Sequence, residues 1–236
     1  MVVRKENKFK YFAIMLVLAI VGCSSKTVQK IEDDSPEDLL AKADLSIEIN
    51  QPKLAWDNFI LPLLEYCSSE VVSKGDNVLS ARSDKEKKYY QETLSTQNKK
   101  IQVVDSVCSN TYFLAGYVQF ELKNIQESEQ FLQTGLNISP VNSKLLSELA
   151  NVYQSKKQWH KALSTYEKAE INAQLYAPEN KAESEYARAL RGSGYVLIEM
   201  GELDKASKKY QKALEIDSLD KIALDELKYI KNLREK

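Results

Sequence analysis

The chain has 236 residues, a length typical of one or two domains, and 43% of them are hydrophobic, which is enough to build a core. Its 33 Lys and Arg residues nearly balance 34 Asp and Glu residues, whereas nucleic-acid-binding domains usually carry a basic excess. With 7 Gly, 5 Pro and 1 His, the composition favours helices over turn-rich β folds and argues against histidine-rich metal sites. We therefore expect an all-helical chain that binds neither nucleic acid nor a metal or other cofactor.

The N-terminus has the pattern of an export signal. Four basic residues within residues 1–10 precede twelve uncharged residues, 11–22, which as a helix span about 18 Å, too short for a hydrocarbon core of roughly 30 Å. Ile20-Val21-Gly22-Cys23 then resembles the lipobox of bacterial lipoproteins. The resemblance implies that residues 1–22 form a cleaved signal peptide and that Cys23 is acylated, palmitate included, as a membrane anchor. An ordinary cleaved signal and an uncleaved N-terminal anchor remain the alternatives.

The residues after Cys23 bear on the destination of the chain. Ser24 and Ser25 follow Cys23. In Gram-negative lipoproteins, an Asp directly after the acylated Cys resembles an inner-membrane retention signal, whereas this chain has Ser24 at that position. The resemblance to Gram-negative lipoproteins therefore implies an outer-membrane protein on the periplasmic face, with the inner membrane as the alternative. Residues 23–34 are polar and lack aromatic side chains, so we expect a flexible tether.

The rest of the chain repeats one pattern of small and large residues. Three segments carry these residues at matching offsets: Gly116, Ser128, Leu132 and Gly135; Ala150, Ala162, Tyr166 and Ala169; Gly194, Ala206, Tyr210 and Ala213. The spacing resembles tetratricopeptide repeats, in which small residues let two antiparallel helices approach and units stack to bury their apolar faces. The resemblance implies an all-α tetratricopeptide solenoid of about four to five helix pairs over residues 35–236.

Repeat units are expected to start near residues 36, 109, 143 and 187. The first start is supported by Ser35 as an N-cap residue, Pro36 at the first helical position and the acidic Asp38 at the third. The longer intervals predict an irregular unit at 70–108 and an insertion at 171–183. Within the irregular unit, Ser83 is expected to open a helix whose apolar face includes Tyr90, Leu94, Ile101, Val104 and Cys108. Pro178 is expected to begin the helix after the insertion.

Residues 219–236 read as a capping helix at the end of the solenoid. Five apolar residues are expected to face inward: Ile222, Leu224, Leu227, Ile230 and Leu233.

Two cysteines remain after Cys23. If residues 70–108 were a helix pair, Cys67 and Cys108 would each end the second helix of adjacent units and lie at one edge of the solenoid. A disulfide between them is then possible in an oxidising compartment, and two buried thiols are the alternative.

In tetratricopeptide proteins, fixed positions of the first helix of each unit line a concave groove. Carried onto this chain, the resemblance implies a protein-binding surface whose main residues are Tyr117, Asn151, Arg188, Arg191 and Tyr195. Arg binds carboxylates bidentately and Tyr offers rigid contact area, so an extended peptide or a carboxylate suits this surface. The alternative is that some of these residues pack against a terminal helix.

These features predict a non-enzymatic scaffold that binds envelope proteins or extended peptide segments during assembly of a pilus, a secretion system or outer-membrane proteins. An adaptor for peptidoglycan enzymes is an alternative in the same class. A small-ligand binder and a hydrolase using Cys67 or Cys108 are alternatives from other classes. Fold alone does not choose among them.

Overall fold

In the computed structural model, residues 34–75, 77–95 and 100–235 are described. The predicted signal peptide, Cys23 and nearly all of the predicted tether lie outside these residues. The described part is dominated by helices, and the expected all-α class is confirmed. Most of the helices form four antiparallel pairs. In the first pair, α1 (Pro36–Glu48) packs against a second helix built from the short α2 (Pro52–Ala55) and the longer α3 (Leu61–Lys74). The other three pairs are α5 (Val107–Glu121) with α6 (Ile125–Ile138), α7 (Ser143–Ser155) with α8 (Trp159–Tyr176), and α9 (Glu179–Glu199) with α10 (Leu203–Ile216). A π-helical turn, Trp56–Ile60, joins α2 to α3.

Side-chain caps fix the starts of α1 and α7, each of which is the first helix of its pair. The Ser35 hydroxyl accepts a hydrogen bond from the Asp38 N–H, and the Asp38 carboxylate accepts one from the Ser35 N–H, so the expected capping box is present. Asn142 caps α7 by accepting from the Lys144 and Leu145 amides. Each cap satisfies amides that have no partner within the helix.

The small residues of the repeat pattern mark close approaches between paired helices. A Cβ at Gly194 would lie 2.7 Å from the Tyr210 ring, and one at Gly116 would lie 2.4 Å from Leu132 Cγ. Both large side chains are buried, so they have little room to move. Glycine at these positions therefore allows the second helix to place its large residue directly against the first.

The extra residues at 171–183 lengthen two helices. α8 runs to Tyr176 and α9 begins at Glu179, with Pro178 as its N-cap residue. The insertion therefore makes α8 18 residues long and α9 21 residues long, and only a short turn separates the two helices.

The segment between α3 and α5 differs from its prediction. It contains β1 (Val78–Ser80), the short helix α4 (Asp84–Tyr89) with a π-helical turn to Leu94, and β2 (Gln102–Val104), which pairs with β1 in parallel. The expected long helix is therefore wrong: Val104 lies in β2 and Cys108 in α5. The predicted start is correct, since the Ser83 hydroxyl accepts from the Glu86 N–H.

The last helix, α11 (Lys221–Arg234), packs on α10 as a terminal helix. Its buried residues are Ala223 and Ile230, with Leu227 partly buried against the same core. The expected inward orientation of Ile222 and Leu224 is wrong, because they are 57% and 46% exposed. Residues 223, 227 and 230 lie on one face of the helix, and the larger side chains at 222 and 224 lie outside that face.

Within residues 34–75, 77–95 and 100–235, no helix has the length and apolar character needed to cross a membrane.

Candidate functional site

The first helices of all four pairs contribute to one open cavity. Its volume is about 540 Å³, and its walls come from α1, α5, α7 and α9 together with the loop after β1. We call it the groove cavity; its polar and charged lining residues include Asp44, Arg82, Asn110, Lys144, Ser147, Lys181, Ser184, Glu185, Arg188 and Arg191. Two of the five main residues predicted for the binding surface, Arg188 and Arg191, therefore line it.

Arg188 is held by a buried carboxylate. Its guanidinium donates to Glu148, whose side chain is 1% exposed, and the Asn151 amide donates to the same carboxylate over 3.3 Å. Tyr117 lies within electrostatic reach of both Glu148 and Arg188, and burial raises the pKa of its hydroxyl. The structure thus brings two of the predicted residues, Asn151 and Arg188, together on Glu148, and the charges of Glu148 and Arg188 influence the pKa of Tyr117.

Arg191 serves a different contact. Its guanidinium donates to the Asp220 carboxylate over 2.5 Å, and the other oxygen of Asp220 accepts from the Ala223 N–H at the start of α11. The fifth predicted residue, Tyr195, lies one turn further along α9 and is 38% exposed. Burial raises the pKa of its hydroxyl, and the charges of Glu199 and Glu226 add to that rise. Arg191 therefore fixes the terminal helix, and Tyr195 lies at the α11 end of the surface.

Lys144 and Lys181 differ from the arginines of the groove cavity. In the part of the chain that the structure describes, neither lysine lies within 4.0 Å of a carboxylate. The Lys144 ammonium sits 3.9 Å from the centre of the Phe113 ring, and burial lowers its pKa. Burial raises the pKa of the nearby Asp44 carboxyl, although Lys144 opposes this change. Lys181 is exposed.

Ser147 adds a polar group to the same wall. Its hydroxyl oxygen is buried and has no hydrogen-bond partner among the described residues, although the residue lines the groove cavity. An unpaired buried hydroxyl costs free energy unless something satisfies it. The wall around Lys144 and Ser147 can therefore accept a ligand group that takes hydrogen bonds and carries negative charge.

The loop after β1 closes one end of the groove cavity through Arg82. The guanidinium donates to Glu86 over 2.9 Å and to Glu185 of α9 over 2.8 Å, and the Glu185 carboxylate also accepts from the Ser143 hydroxyl. The Ser83 hydroxyl donates to the Tyr176 carbonyl over 2.5 Å. The irregular segment is thus fastened to the long helices by buried ionic contacts.

This network was not predicted. Glu86 stands between Lys85 and Lys87 in a charged run, which reads as a solvated helix face. Both lysines are exposed, but the Glu86 side chain is fully buried. The only signal available in the sequence was the spacing of Arg82 and Glu86, four residues apart.

Cys67 and Cys108 form a disulfide, with their Cα atoms 5.4 Å apart. Cys67 lies in the middle of α3, the second helix of its pair, and Cys108 lies at the beginning of α5, a first helix. The expected position of both cysteines at the ends of second helices is therefore wrong. The residues between the two cysteines include the whole irregular segment. Since both sulfur atoms are bonded, neither is available as a thiol nucleophile for the hydrolase alternative.

No group of His, Cys, Asp and Glu side chains suited to holding a metal ion occurs within the described ranges. The single His160 is exposed on α8.

The paired helices and their close-approach residues define a helical repeat protein. Tetratricopeptide-repeat family models match residues 109–142 and 142–218. Residues 109–218 are therefore tetratricopeptide repeats. A search of curated proteins found no match.

Solved structures resemble the chain at the level of the fold. A crystal structure of MamA is 20% identical, with 82% of this chain and 84% of that chain aligned and a TM-score of 0.50. The first repeat domain of Spaghetti (RPAP3), bound to an HSP90 peptide, is 22% identical, with 56% and 98% aligned and a TM-score of 0.49. The Sgt2 repeat domain from Aspergillus fumigatus is also 22% identical, with 54% and 79% aligned and a TM-score of 0.47.

Proposed function

We propose that the chain is a protein-binding scaffold whose groove cavity holds an extended segment of a partner protein through a carboxylate of that segment. The observation that carries this proposal is the wall around Lys144. A cavity of about 540 Å³ there presents a buried hydroxyl without a partner, at Ser147, and two lysines without a carboxylate partner in the described residues. A ligand carboxylate would accept from that hydroxyl and offset the lysine charges.

The sequence analysis expects Arg188 and Arg191 to bind a carboxylate of the partner, but in this proposal they do not contact the ligand carboxylate. Each guanidinium is already paired with an acid of the chain, Glu148 or Asp220. They therefore shape the groove and keep its helices in register, whereas Lys144 and Lys181 supply charge to the ligand.

The test is a cross-linking pull-down from membranes with the full chain. Lys144→Gln combined with Lys181→Gln removes the two lysine charges that would attract the ligand carboxylate. The matched control, Lys88→Gln with Lys168→Gln, removes the same charge from exposed sites outside the groove cavity. We expect the control to retain the partners of the unchanged protein and the groove variant to lose them. An unchanged set of partners in the groove variant would contradict the proposal.

We further propose that this scaffold is anchored through Cys23 to the periplasmic face of the outer membrane and assists assembly of an envelope machine. Support comes from the lipobox-like sequence before Cys23 and from the Cys67–Cys108 disulfide, since disulfides persist outside the reducing cytosol. Labelled palmitate is expected to enter the unchanged chain and not Cys23→Ala. Labelling that survives the substitution would refute the anchor.

Binding of a small ligand is a second candidate, because the volume of the groove cavity falls within the range of roughly 300–1,000 Å³ found for small-molecule sites. A thermal-shift screen with a metabolite panel tests it. A compound that stabilises the unchanged chain, but not the Lys144→Gln variant, would favour this candidate.

A further inference from the structure

The first helix pair leaves apolar side chains exposed at the N-terminal end of the solenoid. Leu45 and Ile49 of α1 are 57% and 55% exposed, and they lie four residues apart on one face of the helix. The terminal units of repeat proteins usually carry polar residues on their outer face, because no further unit covers that face. We call Leu45 and Ile49, with the exposed Glu48 beside them, the N-terminal face.

The N-terminal face corresponds to a buried contact inside the solenoid. α1 and α7 both begin at side-chain caps, and counting ten residues from each cap places Leu45 opposite Val152. Val152 is fully buried, in a core cluster with Leu132 of the preceding pair. Leu45 therefore occupies a position that a preceding pair covers elsewhere, and no helix pair precedes α1 among the described residues.

The last helix lacks a neighbour on its other side. α11 also begins at a side-chain cap, and Leu224, four residues after this cap, is 46% exposed. The corresponding residue of α7, Leu146, is 7% exposed and clusters with Ala169 of the partner helix α8. No partner helix follows α11 in the described part of the chain, so Leu224 stays uncovered. Lys228 and Lys231 are exposed four and seven residues further on, and we call these three residues the C-terminal face.

The two faces carry opposite charge. α1 contains four acidic residues and one lysine, and that lysine, Lys42, already pairs with Asp34 over 2.6 Å. α11 contains three lysines and one arginine against two acidic residues. Among the described residues, Lys228 has no carboxylate within 4.0 Å, and Lys231 has only the exposed Glu235, at 4.0 Å. Each face thus combines apolar side chains with charge of the sign that the other face lacks.

We propose that the N-terminal face of one copy of the chain docks on the C-terminal face of a second copy, so that copies associate end to end. The α11 end of one copy then takes the place of the preceding pair and covers Leu45 of the next, whose first pair covers Leu224 in return. Glu48 meets the lysines of α11 in this contact. Neither face lines the groove cavity, so the association does not depend on ligand binding there.

The symmetry of this contact follows from its chemistry. Because the two faces differ, the contact is heterologous, and each dimer retains one free N-terminal face and one free C-terminal face. Copies therefore continue to add at both ends unless the rotation between them closes a ring.

The test is co-purification of two full-length copies that carry different tags, expressed together and extracted from membranes in detergent. The N-face variant is Leu45→Ser with Ile49→Ser, and the C-face variant is Leu224→Ser with Lys228→Gln. All four side chains are exposed, so both variants are expected to keep the melting temperature of the unchanged chain.

The matched control is Ile171→Ser with Leu175→Ser on α8. These two side chains have the same four-residue spacing as Leu45 and Ile49 and similar exposure, 56% and 52%, but they lie outside both faces. Two control copies are expected to co-purify as well as two unchanged copies.

Two copies of the N-face variant, or two copies of the C-face variant, are expected to co-purify about tenfold less, because each pair lacks one of the two apolar faces. One N-face variant copy expressed with one C-face variant copy is expected to regain co-purification. The first of these keeps an intact C-terminal face and the second an intact N-terminal face. That recovery also shows that both variants are folded.

Three outcomes would overturn the proposal. Unchanged copies that do not co-purify show that the chain does not associate with itself. A mixed pair that fails to recover, although both variants melt at the unchanged temperature, shows that the two faces do not meet. Co-purification that survives in two copies of either variant shows that like faces pair or that another segment covers the face.

Discussion

Replacing Cys67 and Cys108 by Ala is expected to lower the free energy of unfolding by about 4 kcal/mol. The disulfide joins residues 41 positions apart. In the chain-entropy description, closing a loop of about 40 residues restricts the unfolded chain by an amount worth roughly 4 kcal/mol at 25 °C. Both cysteines are buried in one cluster with Leu39, Leu63 and Val107, so small cavities at the replaced side chains add to the cost.

Guanidinium unfolding of the full chain, followed by far-UV circular dichroism, measures this difference. The unchanged chain should lose most of this stability when it is reduced, because reduction opens the loop but leaves both sulfur atoms in the core, whereas the double variant should not respond to reductant. Equal midpoints for the oxidised chain and the double variant would refute the reasoning. A midpoint for the variant that still shifts on reduction would show that another bond accounts for the stability.

Three further substitutions probe the groove and the repeat packing. Glu148→Ala should lower the free energy of unfolding by about 1–2 kcal/mol, because it leaves Arg188 without its buried acceptor; an unchanged urea midpoint would count against that contact. Asp220→Ala removes a helix cap and an ion pair and should cost about 2 kcal/mol, measured in the same way, while a loss below about 0.5 kcal/mol would argue that neither contact matters. Gly194→Ala should lower the melting temperature, because the new Cβ meets the buried Tyr210 ring, and a raised value would mean that helix propensity outweighs the clash.

The repeated helices could be predicted because their signals are local and periodic. Gly116 and Gly194 recur at matched positions, and Ser35, Pro36 and Asp38 form a complete helix start within four residues. Each of these patterns depends on contacts within one helix pair. A single sequence is sufficient to specify such contacts when the same pair geometry occurs several times.

The irregular segment could not be predicted, because its structure depends on contacts distant in sequence. Arg82 pairs with Glu185, 103 residues away, and Tyr89 packs on Tyr176 with ring centres 4.8 Å apart. Neither partner belongs to the repeat pattern. The burial of Glu86 follows from the same contacts and contradicts its charged sequence surroundings.

The orientation of Ile222 and Leu224 on α11 was predicted wrongly for a different reason, whereas Leu227 and Ile230 do face the core. Apolar residues occur on more than one of its faces, so helical periodicity alone leaves two orientations open. The helix buries the face with the small Ala223, which lets it approach α10, and it leaves Ile222 and Tyr229 exposed.

Site-specific photo-cross-linking in cells tests the central claim most directly. A photoreactive amino acid at Ser184, which is exposed and lines the groove cavity, is expected to give a discrete covalent adduct with a partner protein. The same amino acid at Lys168, exposed on α8 and outside the cavity, is expected to give none. Adducts that are absent at Ser184, or equally strong at both positions, would contradict a protein-binding groove.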